Sequence, residues 1–97
     1  MNSIVKDLAY TDGKASSSIV YNNNKQQAIM MAVSKNYSIK PHTSPTDAMA
    51  IITEGEVIIM LNNEPFTLTR GDSILFKKDE IHSLHPVTDF KMYLIKY

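Results

Sequence analysis

The sequence predicts one all-β domain of the sandwich or barrel type, and three observations support this. The 97 residues are 43% hydrophobic and 21% charged, which is typical of a globular chain long enough for one core. Beyond about Ser18, short runs rich in β-branched and aromatic residues alternate with turn residues. No apolar run approaches the roughly 20 residues that a membrane helix needs, so we expect no membrane association.

Each predicted strand is a short apolar or alternating run between turn residues. The turns are centred on Glu54-Gly55, on 62–65 and on Gly71-Asp72, where Gly, Asn and Pro favour reversal of the chain. The strands are predicted over 18–21, 48–53, 56–61, 66–69, 73–76, 81–85 and 90–97.

Two segments are ambiguous. Residues 24–33 contain a candidate N-cap, Asn24, and the helix-favouring residues Ala, Met and Gln, but the surrounding β pattern favours a strand. The first ten residues suit a short helix or an edge strand. We therefore divide the chain into an N-terminal arm or edge segment, 1–12, and a single barrel domain, 13–97.

Charge and cysteine content exclude several functions. Ten basic residues balance ten acidic ones, whereas a nucleic-acid-binding protein normally carries a basic excess. The absence of cysteine excludes disulfides, thiolate nucleophiles and cysteine-bound zinc. The N-terminal residues lack the apolar stretch of a secretory signal, so we expect a cytoplasmic protein.

The candidate chemical groups are the three histidines. His42 lies in KPHTSPTDA, and His82 and His85 lie in DEIHSLH. Two imidazoles from separate strands, together with a carboxylate, suit an iron, manganese or zinc site. The simpler alternative is that one histidine caps a turn and another packs in a half-buried position.

The order of these histidines, with the strings TEGE, RGDSILF and IHSL, resembles the small single-domain bacterial cupins of the conserved-barrel type. Within them, HTSPTDA resembles a variant whose metal motif reads His-Thr-x-Pro-x-Asp-Ala. The resemblance covers the chain from about residue 13 onward. It implies the cupin double-stranded β-helix, a jelly-roll barrel.

The resemblance also implies a degenerate metal site. His42 and His82 match cupin ligand positions, but Ser44 stands where a second histidine is expected and Ala48 where a glutamate is expected. A divalent metal (Fe, Mn, Ni or Zn) would therefore bind only weakly. Asp47 is a substitute ligand only if a bulge redirects it, because in an extended chain it faces away from the side of Ala48. The other matches are Gly55 and Gly71, and the other departures are Asn36, Lys77, Asp79 and Pro86.

The period of two along the strands predicts which residues line a pocket. With position 48 facing inward, the pocket is predicted to contain His42, Ser44, Ala48, Ala50, Ile52, His82 and Leu84. His85 then lies on the opposite face from His82. In the alternative, the barrel is filled by Met30, Met60, Phe76 and Met92.

Met49 and Ile51 would face outward, and an apolar outer sheet face predicts a homodimer.

Three functions stay open. The favoured one is a protein that binds an unidentified small molecule, with His42 and His82 as polar anchors in an apolar barrel. The second is a metal-dependent enzyme of the dioxygenase or isomerase type that uses the same histidines. The third is a structural or interaction module with a filled barrel.

Overall fold

A computed structural model describes residues 8–97, which form nine β-strands and no helix. The described residues therefore contain no segment that could cross a membrane as a helix. This confirms the predicted all-β class. The strands are β1 (Ala15–Asn22), β2 (Gln27–Val33), β3 (Ile39–His42), β4 (Ala48–Glu54), β5 (Glu56–Leu61), β6 (Glu64–Thr69), β7 (Ser73–Phe76), β8 (His82–Pro86) and β9 (Phe90–Lys96).

The strands form two antiparallel sheets. The first has the order β1-β2-β9-β4-β7, and the second has the order β3-β8-β5-β6. The last strands of the chain are therefore inserted between earlier ones, β9 between β2 and β4, and β8 between β3 and β5. This arrangement confirms the cupin double-stranded β-helix.

The core lies between the two sheets and follows the predicted alternation. Along β4, Ala48, Ala50 and Ile52 are buried, while the residues between them are half-buried on the outer face. The other sheet contributes Val57, Ile59, Leu68 and Leu84 to the same cluster. Burial of a large apolar side chain stabilises a fold by about 1.5–3 kcal/mol, so this cluster holds the sheets together.

The ambiguous segment is a strand, as the β context favoured. In β2, Ala28, Met30 and Ala32 are buried on one face, and Val33 is buried on the other. Because both faces are covered, β2 lacks the polar alternation that marks a half-exposed strand. Its pairing with β1 on one side and β9 on the other determines its conformation.

Two strands differ from the sequence prediction. The run of residues 39–42 was not predicted as a strand, but β3 pairs with β8 at the edge of its sheet, where Pro41 is tolerated. β1 begins earlier than predicted, at Ala15. Its register with β2 is irregular between Ile19 and Tyr21.

The first seven residues of the predicted N-terminal segment lie outside the described residues. Within the rest of that segment, the Tyr10 hydroxyl donates a hydrogen bond to Glu54. The Lys91 ammonium lies 5.2 Å from the Tyr10 ring centroid and 3.9 Å from a Glu54 oxygen. Burial and the Glu54 carboxylate raise the pKa of Tyr10. These contacts hold Tyr10 against the outer face of the five-stranded sheet.

A substitution at Gly55 tests how tightly the turn between β4 and β5 packs against the loop before β9. A Cβ at Gly55 would lie 2.1 Å from the carbonyl oxygen of Asp89, and its φ is +81°. We expect Gly55→Ala to destabilise the protein by about 2–4 kcal/mol through overlap and strain. Gly71→Ala is the matched control, because its φ is +91° but nothing lies within 4 Å.

Urea denaturation measures both variants. Equal losses in Gly55→Ala and Gly71→Ala would contradict the tight contact with Asp89, because both positions share the backbone strain and only one has the overlap.

Candidate functional site

The two predicted site histidines meet at one end of the barrel. The antiparallel pairing of β3 with β8 places His42 directly opposite His82. Their ring centroids are 4.2 Å apart, with an angle of 63° between the rings. His42 is exposed, whereas His82 is only 5% exposed. One imidazole therefore lies at the mouth of the site and the other inside it.

An aromatic ring supports the buried histidine. Phe76 stacks on His82 with ring centroids 4.0 Å apart and an interplanar angle of 13°. Phe76 lies opposite Ala48 in the register of β7 with β4. Because the alanine side chain is only a methyl group, space remains beside the stacked rings, in a cavity that Ala48, Phe76 and His82 line.

Backbone carbonyls set the hydrogen positions on both imidazoles. The Nδ1 atom of His42 lies 2.8 Å from the Lys40 oxygen, and that of His82 lies 3.1 Å from the Glu80 oxygen. A carbonyl only accepts, so each Nδ1 carries the hydrogen and each neutral ring presents a lone pair at Nε2.

The Nε2 of His82 is open to solvent inside the site. Among residues 8–97, no buried side-chain nitrogen or oxygen lacks a hydrogen-bond partner. His82 makes its hydrogen bond through Nδ1, and Nε2 has no partner within that part of the chain. Since an unpaired buried nitrogen would break this rule, Nε2 must be exposed. The nitrogen is therefore accessible to a ligand.

The environment of His82 favours the neutral ring. Burial lowers the pKa of His82 below its usual value of 6.5, and the neighbouring His42 lowers it further. The backbone carbonyl and the carboxylate of Glu80 act in the opposite direction but do not outweigh burial. A neutral His82 presents its Nε2 as an acceptor or as a metal ligand at neutral pH.

Two adjoining cavities of about 150 and 210 Å³ lie beside the histidine pair. They share the wall residues His42, Phe76, His82, Leu94 and Lys96. Among the other predicted pocket residues, Ser44 and Ala48 line the first cavity and Leu84 lines the second. Ala50 and Ile52 line neither cavity, because they lie deeper in the packed core.

The four residues predicted to fill the barrel in the alternative interpretation do not all lie inside it. Phe76 and Met92 belong to the interior cluster and fill part of the barrel. Met30 and Met60 lie outside that cluster, since the strand registers place them on outer faces. The interior is therefore partly filled and retains space only near the histidines.

Lys96 is a wall residue that the sequence analysis missed. It lies on β9 opposite Ala48 and on the same face as Phe90, Met92 and Leu94. The period of two along β9 would have revealed this inward lysine. It brings a positive charge to the cavity wall.

The nearby carboxylates hold the rim together. An Asp47 oxygen accepts the backbone N–H of Lys78 at 2.8 Å. The Glu80 oxygens accept from the Lys77 backbone at 2.8 Å and from the Asn62 side chain at 2.7 Å. The Asp47 bond joins the loop after β3 to the loop after β7, and the Asp79 N–H adds a second such bond to the Ser44 carbonyl at 3.0 Å. The Glu80 bonds lie within the loop after β7 and between that loop and the β5–β6 turn.

The donor set therefore does not fit a tightly bound metal. Within residues 8–97, no group of three or more His, Asp or Glu side chains is placed to hold a metal ion. The structure brings His42 and His82 together but does not bring Asp47 to them. Protein zinc sites normally use at least three protein ligands, and this site offers two.

The remaining histidine lies away from the cavities. The His85 Nε2 is 2.9 Å from the Ser83 hydroxyl, and both residues lie on the face of β8 opposite to His82. Ser83 is nevertheless buried on that outer face.

A larger groove of about 540 Å³ runs between β6 and β7. Its ionisable wall residue is Asp72, whose carboxylate accepts the Thr69 backbone N–H at 2.8 Å. The groove also contains the hydroxyl groups of Thr67 and Ser73, but it has no histidine or lysine in its wall, although its volume is larger.

The lowered pKa of His82 predicts a pH dependence of stability. An unfolded histidine titrates near 6.5, so below that pH the unfolded state binds more protons than the folded one. The free energy of unfolding should therefore fall on acidification, between 6.5 and the lower pKa of the folded state, and then level off. Urea denaturation at pH 7.5 and 5.5 measures this loss, which should be smaller in His82→Gln. An identical loss in the variant would contradict the assignment to His82.

Several solved structures of bacterial proteins have folds similar to that of this chain. A conserved protein of unknown function from Streptococcus pyogenes aligns with a TM-score of 0.89 and 22% identity, over 99% of this chain and 84% of that one. A cupin superfamily protein from Desulfitobacterium hafniense aligns with a TM-score of 0.86 and 18% identity, over 92% and 82%. A cupin 2 conserved barrel domain protein from Leptotrichia buccalis aligns with a TM-score of 0.88 and 26% identity, over 95% of this chain and 45% of that one.

No curated protein shows significant sequence similarity to the chain. The family model described as AraC-like ligand binding domain matches residues 31–97. This span contains strands β3 to β9, both site histidines and Lys96. The chain therefore belongs to the AraC-like ligand binding domain family, and its fold is that of a small bacterial cupin.

Proposed function

We propose that this protein binds a small molecule in the cavities beside His42 and His82. The observation that carries the proposal is the pair of imidazoles whose Nδ1 atoms are held by backbone carbonyls, which leaves Nε2 available at the wall of a cavity. Few convergent polar groups in an apolar concavity are typical of ligand sites. The family match to a ligand-binding domain supports the same function.

The cavity walls limit the ligand. Phe76, Leu84 and Leu94 provide apolar surface, and Ala48 provides space. The adjoining volumes of about 150 and 210 Å³ together lie near the lower end of the roughly 300–1,000 Å³ of sites for drug-sized molecules. The ligand is therefore a small metabolite. The cavities also favour this function over a structural module with a filled barrel.

A metal-dependent reaction is the weaker alternative. Two imidazoles suit Fe, Mn, Ni or Zn, but no carboxylate completes the set and the positive charge of Lys96 opposes a cation. A divalent metal would bind weakly at His42 and His82. We assign no reaction to the site.

The same proposal includes a cytoplasmic homodimer. Cross-strand pairing places Met49 beside Leu75 and Ile95, and Ile51 beside Tyr93, on the outer face of the five-stranded sheet. Covering this apolar surface would stabilise a pair of chains.

Ligand binding is tested with small sugars, polyols and organic acids in NMR titrations of the labelled protein. We expect shifts to concentrate around His42, Phe76 and His82. Ala48→Leu should fill the cavity and weaken binding at least about tenfold, because it occupies the space beside the stacked rings. His85→Gln is the control on the opposite face of β8 and should bind normally. Normal binding by Ala48→Leu, or shifts confined to the groove between β6 and β7, would refute the assignment.

Metal affinity is tested by restoring the two ligand positions that the cupin motif implies. Wild-type protein should retain less than one equivalent of Zn²⁺ after desalting, because two imidazoles are too few. The double variant Ser44→His/Ala48→Glu should retain one equivalent by elemental analysis. The control Ser44→His/Ala48→Gln has a similar size without the charge and should retain less. Stoichiometric zinc in the wild type would favour the enzyme alternative.

Oligomeric state is measured by light scattering after size exclusion. We expect about twice the chain mass of 10.9 kDa. Ile51→Lys should reduce the mass to that of one chain, because it places a charge within the apolar face. Val87→Lys is the control at an exposed site between β8 and β9. A wild-type monomer would remove the proposed dimer.

A further inference from the structure

We infer that the ligand of this site is a small hydroxy carboxylate, with its carboxylate bound by the Lys96 ammonium and its hydroxyl donating to an imidazole Nε2. The inference rests on the proposed function and specifies the chemical class of the ligand. It follows from the charge of the cavity and from the direction of its hydrogen bonds.

The first step concerns the surroundings of Lys96. It is half-buried at the cavity wall, and its cross-strand neighbours are Gln27 and Ala48, an amide and a methyl group. Within residues 8–97, the ion pair found is that of Lys91 with Glu54, on the outer face of the sheet. No carboxylate of that part of the chain neutralises Lys96. The ammonium of a half-buried lysine without a carboxylate partner attracts an anion.

The second step concerns the nearby acids. Asp47 and Glu80 are close to the site in sequence, but both accept hydrogen bonds from the loops of the rim. Neither lines the two cavities. The site has lost the acidic position of the cupin motif at Ala48 and has a lysine across the sheet from it. Its charge therefore favours an anion over a metal cation.

The third step concerns the imidazoles. With Nδ1 donating to a carbonyl, each neutral ring can only accept a hydrogen bond at Nε2. A carboxylate has no hydrogen to donate, so a bare fatty acid would supply no hydrogen-bond donor to these acceptors. A hydroxyl on the same ligand supplies the donor, while its carbon skeleton packs against Phe76 and Leu94.

A neutral polyol is the competing ligand. Lysine can cover an apolar wall with its methylene groups while its ammonium stays in water. In that case the charge of the ligand would not affect its affinity, and Lys96 would contribute only apolar packing. A matched set of probes separates the two cases.

Lactate, propionate and lactamide form this set, because propionate lacks the hydroxyl and lactamide lacks the charge. NMR titrations are run at pH 8, where an imidazole with the usual pKa of about 6.5 is neutral. We expect lactate to bind at least about fivefold tighter than either analogue, because propionate loses the hydrogen bond of the hydroxyl and lactamide loses the charge that pairs with Lys96. Lys96→Met should reduce lactate to the affinity of lactamide, and Lys96→Arg should preserve the preference. Lys35→Met, at an exposed position away from the cavities, is the control.

The outcomes distinguish this inference from the proposed function. Equal binding of lactate and lactamide to the wild type would overturn the anionic ligand, while the cavity would remain a ligand site. Equal binding of lactate and propionate would overturn the hydroxyl contact. If none of these probes and no sugar, polyol or organic acid shifts the cavity resonances, the proposed function itself fails.

Discussion

The alternation of side chains across two packed sheets is the constraint on which the rest of the structure depends. Each strand directs every second residue to the interior, so the register of pairing decides which groups can meet. The pairing of β3 with β8 brings His42 opposite His82, and the pairing of β4 with β9 brings Ala48 opposite Lys96. A slip of one residue in either pair would move these groups to the other face.

The site differs in charge from a metal centre on the same scaffold. Two of the ligand positions implied by the cupin resemblance are occupied here by Ser44 and Ala48, and an alanine methyl group cannot bind a metal. The carboxylates that remain nearby hold loops at the rim through backbone N–H groups. Lys96 then gives the wall a positive charge. These features are the basis of the proposed anionic ligand.

Much of this arrangement could be predicted from local sequence patterns. Turn residues and the period of two gave most strands and the inward face of β4, because these depend on neighbouring residues only. The depth of the cavity could not be predicted in this way. It depends on contacts between strands, such as the stacking of Phe76 on His82 and the packing of Ala50 and Ile52 in the core.

The ambiguity at β2 and the differences between the sequence prediction and the structure at β3 and Lys96 also have physical causes. β2 is covered on both faces by contacts from distant parts of the chain, so its own residues do not show a strand pattern. β3 is short, contains Pro41 and depends on one partner. Lys96 was missed because a charged residue at the end of a strand is usually taken as solvent-exposed, although the alternation along β9 pointed inward.

The irregular register of β1 has a consequence for self-association into fibres. β1 lies at the edge of the five-stranded sheet and exposes Ile19, Val20 and Tyr21, which are residues that favour β-aggregation. An incoming strand needs a regular row of free backbone N–H and C=O groups on that edge. The irregularity between Ile19 and Tyr21 interrupts the row. We therefore expect it to oppose the growth of amyloid-like stacks on the exposed apolar part of this edge.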